Sequence, residues 1–299
     1  MRVPAKVNLQ LSVGPKEADG FHNLVSVFQA ISIFDDVTVT KSNPGSGVTI
    51  TVSGEHTHGV PEDHSNLAVK AAQLIGEKFD FAVDVHIEIK KSIPVAGGMA
   101  GGSADAAGTL VAMDSLFQLE MSREELHALG SELGSDVPFM ISGGTSIGQG
   151  RGDQLTAALS RGTYHWVLAL SSVGLSTPAV YTECDRMRAE LDIAPPQVSD
   201  ALMQSLLAAD PKAVGQALHN DLHEACSPVI DQLRNATRET VQVAVLDGRE
   251  VVYVERRESP QTLRLFGRVG HRNDAHCTST GKLLLAFLQV DINQRKFYA

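Results

Sequence analysis

The chain has 299 residues, of which 43% are hydrophobic and 20% charged, with a formal charge of −10. That length suits about two domains of ordinary size. No run approaches the roughly 18 apolar residues of a bilayer span, and the acidic balance argues against broad nucleic-acid binding. Cys184, Cys226 and Cys277 lie far apart with no CxxC pair, so neither a disulfide framework nor a thiolate zinc site is expected. "MRVPAKVNLQL" has no apolar segment with a cleavage site, which points to the cytoplasm. His56 and His58 are close in sequence but lack a third spaced ligand, and read as solvated loop histidines.

Along the chain, "KVNLQLSVG" alternates with Val7, Leu9, Leu11 and Val13 inward, as in a half-buried strand broken by the turn "DGFH". "FDDVTVTKS" and "GVTITVSG" read as two more strands. "NLAVKAAQLIGEKF" has helical spacing, and "VDVHIEIKKSI" alternates strictly. "ADAAGTLVAMDSLFQL" predicts a helix, and "SREELHALGSEL" a second, with Ser122 and Glu125 spaced as a capping box. "TYHWVLALS" reads as a buried strand, "AVYTECDRMRAEL" as a helix and "IAPPQVSD" as a loop. Helices are then expected from Asp200 to about Ala209 and from Pro211 to about Asn235, the second broken near Pro228. Beyond Asn235–Arg238 the chain becomes more basic and β-rich. "ETVQVAVLDGREVVYVERRES" predicts a hairpin on its Asp247-Gly248 turn, and "STGKLLLAFL" a last helix.

The strand-to-helix passage "IPVAGGMAGGSADAA", Ile93 to Ala107, is where chemistry first shows. The first N–H groups of a helix lack intrahelical acceptors and carry partial positive charge, and glycines let the backbone approach an anion. Ser103 adds a hydroxyl for a phosphate or a magnesium-bound water. The same loop could be only a tight turn. It is neither a Rossmann fingerprint nor a Walker A loop, since no lysine follows its last glycine. Two other segments favour the phosphate reading. "PAKVNL" places Lys6 at the start of a strand, and "LGSDVPFM" places Asp136 beside a proline expected to end a helix. Phosphoryl transfer needs alignment and charge stabilisation; an Asp can take the acceptor's proton, and a Lys can keep that Asp ionised.

These segments, in this order, resemble the GHMP kinase superfamily, and within it the branch that phosphorylates diphosphocytidyl methylerythritol in non-mevalonate isoprenoid synthesis. The resemblance covers roughly residues 1–235. It rests on "PAKVNLQLSVG", "DGFHNLVSVFQAI", "IPVAGGMAGGSADAA", "LGSDVPFMISGGTSIGQGRGD" and "HWVLALSSVGLSTPAVY". It implies an α+β two-domain fold: an ATP-binding domain over 1–155 and a partial C-terminal domain over 156–236. It also implies a kinase using ATP and Mg²⁺ on a small-molecule substrate, with no nucleic-acid or membrane partner. The resemblance gives Lys6 and Asp136 as the catalytic pair. Pro94, Val95, Ala96, Gly97, Gly98, Met99, Ala100, Gly101, Gly102, Ser103 and Ala104 would wrap the ATP phosphates. Asn8 would position the methylerythritol end, Phe21 and His22 would hold the cytosine, and Tyr181, with Thr177 nearby, would stack on the other face. Phe21 stands where the family commonly has Tyr. Met99-Ala100 replaces a more usual Leu-Gly, and Ala100 carries a Cβ that makes φ > 0 costly.

The family also has a second glycine-rich loop of the SGSGPT type, and no such string follows Asn235. Instead, about fifty residues within 237–299 resemble a fragment of the effector-binding domain of IclR-type regulators. They lack the DNA-reading helix-turn-helix and the rest of that domain. The chain thus reads as a kinase cut short and joined to an unrelated fragment. The alternatives to a working kinase are a small-effector-binding protein acting through this tail, or a hybrid without function.

Overall fold

The computed structural model describes residues 1–95, 97–166, 168, 176–223, 225, 241–247, 249–257, 270–278, 280 and 282. They fall into two compact units, Met1–Gly162 with Ser171–Ala225, and Thr163–Leu170 with Cys226–Ala299.

The first unit is built on a seven-stranded mixed sheet. β1 (Arg2–Lys16) and β2 (His22–Lys41) pair antiparallel along their length, and β3 (Val48–Gly54) runs parallel to β4 (Val85–Lys91). β2 is long enough to share its other edge between two neighbours. β5 (Thr145–Gln149) takes residues 26–29 and β4 takes 36–41, while β6 (Gln154–Ala157) extends β5. β7 (His219–Asn220) lies parallel on the far edge of β1. Helix α1 (Leu67–Phe79) starts on Asn66, whose side chain accepts from the Ala68 N–H at 2.9 Å. Helix α2 (Gly101–Phe117) is apolar almost all round and buries Ala104, Ala106, Ala107, Leu110 and Met113. Its Gly108 allows the close approach: a Cβ there would stand 2.9 Å from methyls of Val3 on β1 and Val37 on β2. Helix α3 (Arg123–Leu133) carries the predicted capping box, with the Ser122 hydroxyl and the Glu125 carboxylate each accepting from the other's N–H. Helices α4 (Val137–Ser142), α5 (Thr177–Met187), α6 (Asp200–Ala208) and α7 (Pro211–Ala217) complete this unit.

Several expectations are corrected here. Pro138 sits in the first turn of α4 instead of ending a helix; its fixed φ and missing N–H suit that turn, where N–H groups have no intrahelical acceptor. The helix expected from Pro211 to about Asn235 stops at Ala217, where Leu218 turns extended and the chain enters β7. Residues 226–235 lie outside the described residues. β2 begins at His22, twelve residues before "FDDVTVTKS", and β5 and β6 are additional strands. In β1, Leu9 and Val13 are buried but Val7 and Leu11 only half so, because register shifts at Pro4/Ala5 and Asn8/Gln10 break strict alternation.

In the second unit, β8 (Val241–Asp247) and β9 (Glu250–Arg257) form the expected hairpin with Asp247 opposite Glu250, and β10 (Arg272–Asp274) pairs with β9. Gly248 of the expected turn lies outside the described residues, as does nearly all of "STGKLLLAFL". So do Val167, Ala169, Leu170 and Ser171 of the strand expected in "TYHWVLALS"; its described part joins no ladder. Cys184 is a buried free thiol, Cys277 an exposed one, and Cys226 lies outside the described residues. Among the described residues, no helix is long and apolar enough to cross a membrane.

Candidate active site

Alternation along β1 places Lys6 and Asn8 on one face. Lys6 Nζ donates to Asn8 Oδ1 at 2.7 Å, and Asn8 Nδ2 donates to Ser26 Oγ on β2 at 2.7 Å. Ser26 in turn donates to the Gln10 carbonyl at 3.0 Å, so the amide of Asn8 is held with its oxygen toward the lysine. Lys6 is 7% exposed, and its Nζ lies 5.5 Å from the centroid of the Phe28 ring and 3.7 Å from Asp136 Oδ2. Asp136 occupies the N-cap position of α4 but makes no capping bond, leaving its carboxylate about one-third exposed. The two residues that sequence places 130 apart therefore form one charged pair.

The glycine loop lies against the same strand, because the Lys6 N–H donates to the Met99 carbonyl at 3.3 Å. Met99 is buried and anchors the loop, while Val95, Gly97 and Gly98 are exposed. Gly98 has φ 71°, and Ala100 takes the left-handed conformation at φ 59°, ψ 36°, the costly state that its Cβ makes notable. Helix α2 then opens with the N–H groups of Gly101, Gly102 and Ser103 outside the intrahelical ladder. The Ala104 N–H is already bonded to the Ala100 carbonyl and its side chain is fully buried, so Ala104 packs and does not present a donor. Pro94 is half-buried at the loop's entry, and Ala96 lies outside the described residues. The Ser103 hydroxyl and the part-exposed Asp136 carboxylate are oxygen donors of the kind that suits Mg²⁺, which keeps much of its shell as water and phosphate.

A second cluster is built from β2's start and α5. His22 Nε2 donates to Asp185 Oδ1 at 2.7 Å, and Lys16 Nζ donates to Asp185 Oδ2 at 2.9 Å. Burial pushes the Asp185 carboxyl up, but the Lys16 and His22 hydrogen bonds outweigh it and hold the group below its ordinary value. The rings of His22 and Tyr181 stand 5.3 Å apart at 32°. Burial first, and then the Asp136 carboxylate and Cys184, push the Tyr181 phenol up to about 12. Phe21 is 52% exposed, with the Arg151 guanidinium 3.8 Å over its ring and paired to Asp19 at 3.2 Å. Thr177 is exposed at the start of α5.

Sequence reading missed Asp185, Lys16 and Arg151. Asp185 carries a signal: it lies four residues after Tyr181, on the same helix face. In the second unit, Asp274, His276 and Cys277 bring possible ligand atoms within 4.8 Å of one another, all on exposed residues.

The fold and this site together define a class. Residues 66–144 match the family model described as the GHMP kinases N terminal domain. The architecture is that of these α+β kinases: a crystal structure of 4-(cytidine 5′-diphospho)-2C-methyl-D-erythritol kinase superposes with TM-score 0.55 at 28% identity, over 80% of this chain and 82% of that one. The 4-diphosphocytidyl-2-C-methyl-D-erythritol kinase of Mycolicibacterium smegmatis is 47% identical over 83% of this chain and 77% of its own length. That of Nocardia farcinica is 48% identical over 83% of this chain and 80% of its own length. This chain belongs to the 4-diphosphocytidyl-2-C-methyl-D-erythritol kinase family. Its residues 215–297 also match the model for the C-terminal region of the bacterial transcriptional regulator IclR.

Proposed function

We propose that this chain transfers the γ-phosphate of ATP to the 2-hydroxyl of 4-diphosphocytidyl-2-C-methyl-D-erythritol, in the cytoplasm and in the service of isoprenoid synthesis. The observation that carries the reading is the Lys6–Asp136 pair at 3.7 Å, on a strand hydrogen-bonded to the glycine loop, in a member of this kinase family.

In this reading Asp136 takes the proton from the acceptor hydroxyl as its oxygen bonds to Pγ. The bond from Pγ to the β,γ-bridging oxygen breaks, and ADP leaves with its electron pair. Lys6 pairs with the Asp136 carboxylate at 3.7 Å and offsets charge on the equatorial oxygens, and Asn8 fixes where the lysine points. The N–H groups at the start of α2 receive the phosphates. Mg²⁺, when bound with ATP, would supply charge neutralisation to the phosphates, with the Ser103 hydroxyl as the protein donor that fits it while Asp136 stays available as the base. His22 and Tyr181 offer a ring surface for the cytosine, with Phe21 and Thr177 at its border. Because His22 and Tyr181 already touch, the base stacks on the outer face of one ring or enters as Tyr181 turns aside. Asn8 contacts the methylerythritol end.

We also take 1–155 as the ATP-binding domain, 156–236 as a partial C-terminal domain and 237–299 as the appended tail. Every residue given a role lies at or before Asp185, in the first unit. The test is transfer of labelled γ-phosphate from ATP to the diphosphocytidyl substrate by the purified full chain. Turnover that Lys6→Ala abolishes supports the reading; a folded chain that binds ATP but transfers nothing overturns it.

A further inference from the structure

A buried charge cluster joins the two ends of the glycine loop. Lys91, at the end of β4, is 2% exposed, and Asp35 of β2 and Asp105 of α2 are 0% and 2% exposed. Lys91 Nζ donates to Asp35 Oδ2 and, at 2.8 Å, to Asp105 Oδ2. Asp35 Oδ1 accepts from the N–H groups of Ser92 and Ile93 at 2.6 and 2.9 Å. The second oxygen of Asp105 is buried with no hydrogen-bond partner.

Burying three ionisable side chains is expensive, and replacing such a cluster by apolar residues is often neutral or stabilising. Stability is therefore a poor reason for its presence. Its placement gives a better one. Asp35 grips the two residues at which the chain leaves β4 for the loop, and Asp105 sits on the first turns of the helix that leaves it. Lys91 joins the two arms. Gly101, the first residue of α2, lies directly over the junction: a Cβ there would stand 3.1 Å from Lys91 Nζ and 3.2 Å from an Ile93 methyl. Among the described residues, the loop between is also held by the bond from the Lys6 N–H to the Met99 carbonyl, and one of its residues, Ala100, sits in a strained conformation.

We propose that Lys91 is a positioning residue for the phosphate-binding loop, clamping the entering strand to the departing helix through Asp35 and Asp105 so that the loop's mouth keeps the width of the ATP phosphates. This rests on the kinase reading above. Lys91 acts through the backbone it holds and needs no contact with the nucleotide.

The test compares ATP with adenosine, which shares the base and sugar but lacks the phosphates. Affinities of both are measured by calorimetry on the full chain, unaltered and as Asp105→Ala, with Asp105→Asn as the conservative variant that keeps an acceptor for Lys91. The melting temperature of each is recorded. The expected result is a fall of about tenfold or more in the ATP-to-adenosine affinity ratio for Asp105→Ala, largely restored by Asp105→Asn. KM for ATP should rise while KM for the acceptor stays put. An unchanged ratio in a folded variant, or an equal loss of ATP and adenosine, overturns the proposal and leaves the cluster as a structural element. Should Asp105→Ala fail to fold, Lys91→Met, which keeps the chain length without the charge, is read by the same ratio. Failure of the unaltered chain to bind ATP removes the kinase reading and this one together; binding with an indifferent ratio removes only this one.

Discussion

Asp185 holds His22 from one helical turn beyond Tyr181, the residue whose ring His22 faces. The carboxylate requires the proton of that imidazole to be on Nε2, and so settles both the ring's orientation and its tautomer. Asp185→Asn should therefore act on the acceptor's side of the reaction. We expect KM for the diphosphocytidyl substrate to rise about tenfold, with KM for ATP unchanged. Steady-state kinetics with each substrate varied in turn checks this, and an equal rise in both would count against it.

Removing the charged pair should act on turnover. Asp136→Asn keeps the shape and loses the base, and kcat should fall by about 10²–10⁴. Asn8→Ala, which frees the Lys6 side chain without touching its charge, should cost less, about tenfold in kcat. Single-turnover measurements with both substrates saturating separate these effects from binding.

Burial first, opposed by Lys91 and reinforced by the Asp35 carboxylate, pushes Asp105 up from 3.8 to about 7. In the unfolded chain this carboxyl ionises near its ordinary value. Between about pH 4 and pH 7 the folded protein thus holds a proton that the unfolded chain has lost, so rising pH favours unfolding across that window. Asp105→Asn removes the titration. Melting temperatures taken from pH 5 to pH 8 should fall more for the unaltered chain than for the variant, by about 5 °C or more. Parallel curves would show that Asp105 does not titrate there.

Ala100 stands at φ 59°, where a Cβ costs about 1–2 kcal/mol and glycine nothing. Glycine gives part of that back through the greater freedom of the unfolded chain. Ala100→Gly should stabilise the protein by up to about 1 kcal/mol, measured by denaturant titration. Gly108→Ala should do the reverse, by about 1–3 kcal/mol, because its Cβ would be driven against Val3 and Val37.

Much of the first unit is legible in the sequence where the signal is local. The α3 capping box needs only Ser122 and Glu125 at their spacing, and the glycine run announces the start of α2. The early part of β2 is harder, because "NLVSVFQAI" does not alternate: Val25 through Phe28 are buried in succession beneath strands and helix. Lys6 and Asp136 are identifiable by residue type, but their approach to 3.7 Å is a property of the fold. The Lys91 cluster draws on three segments, with Asp35 56 residues before the lysine and Asp105 14 after it, and each alone resembles a surface charge. One clue was present. Val85, Ile87 and Ile89 point inward along β4, and Lys91 takes the next inward place.

The β1–β7 pairing makes a mechanical fuse. β7 meets β1 only at Gln10–His219 and Leu11–Asn220, reinforced by Asp221, which accepts from the Val13 N–H at 2.7 Å and pairs with Arg188 at 3.0 Å. The opposite edge of β1 is zipped to β2 from Arg2 to Lys16. A pull on the end of the first unit at Ala225 would load this two-residue seam before the fifteen-residue β1 edge that faces β2. Strain at that end of the first unit would thus be spent two residues from Asn8, without dragging Lys6 off its aspartate.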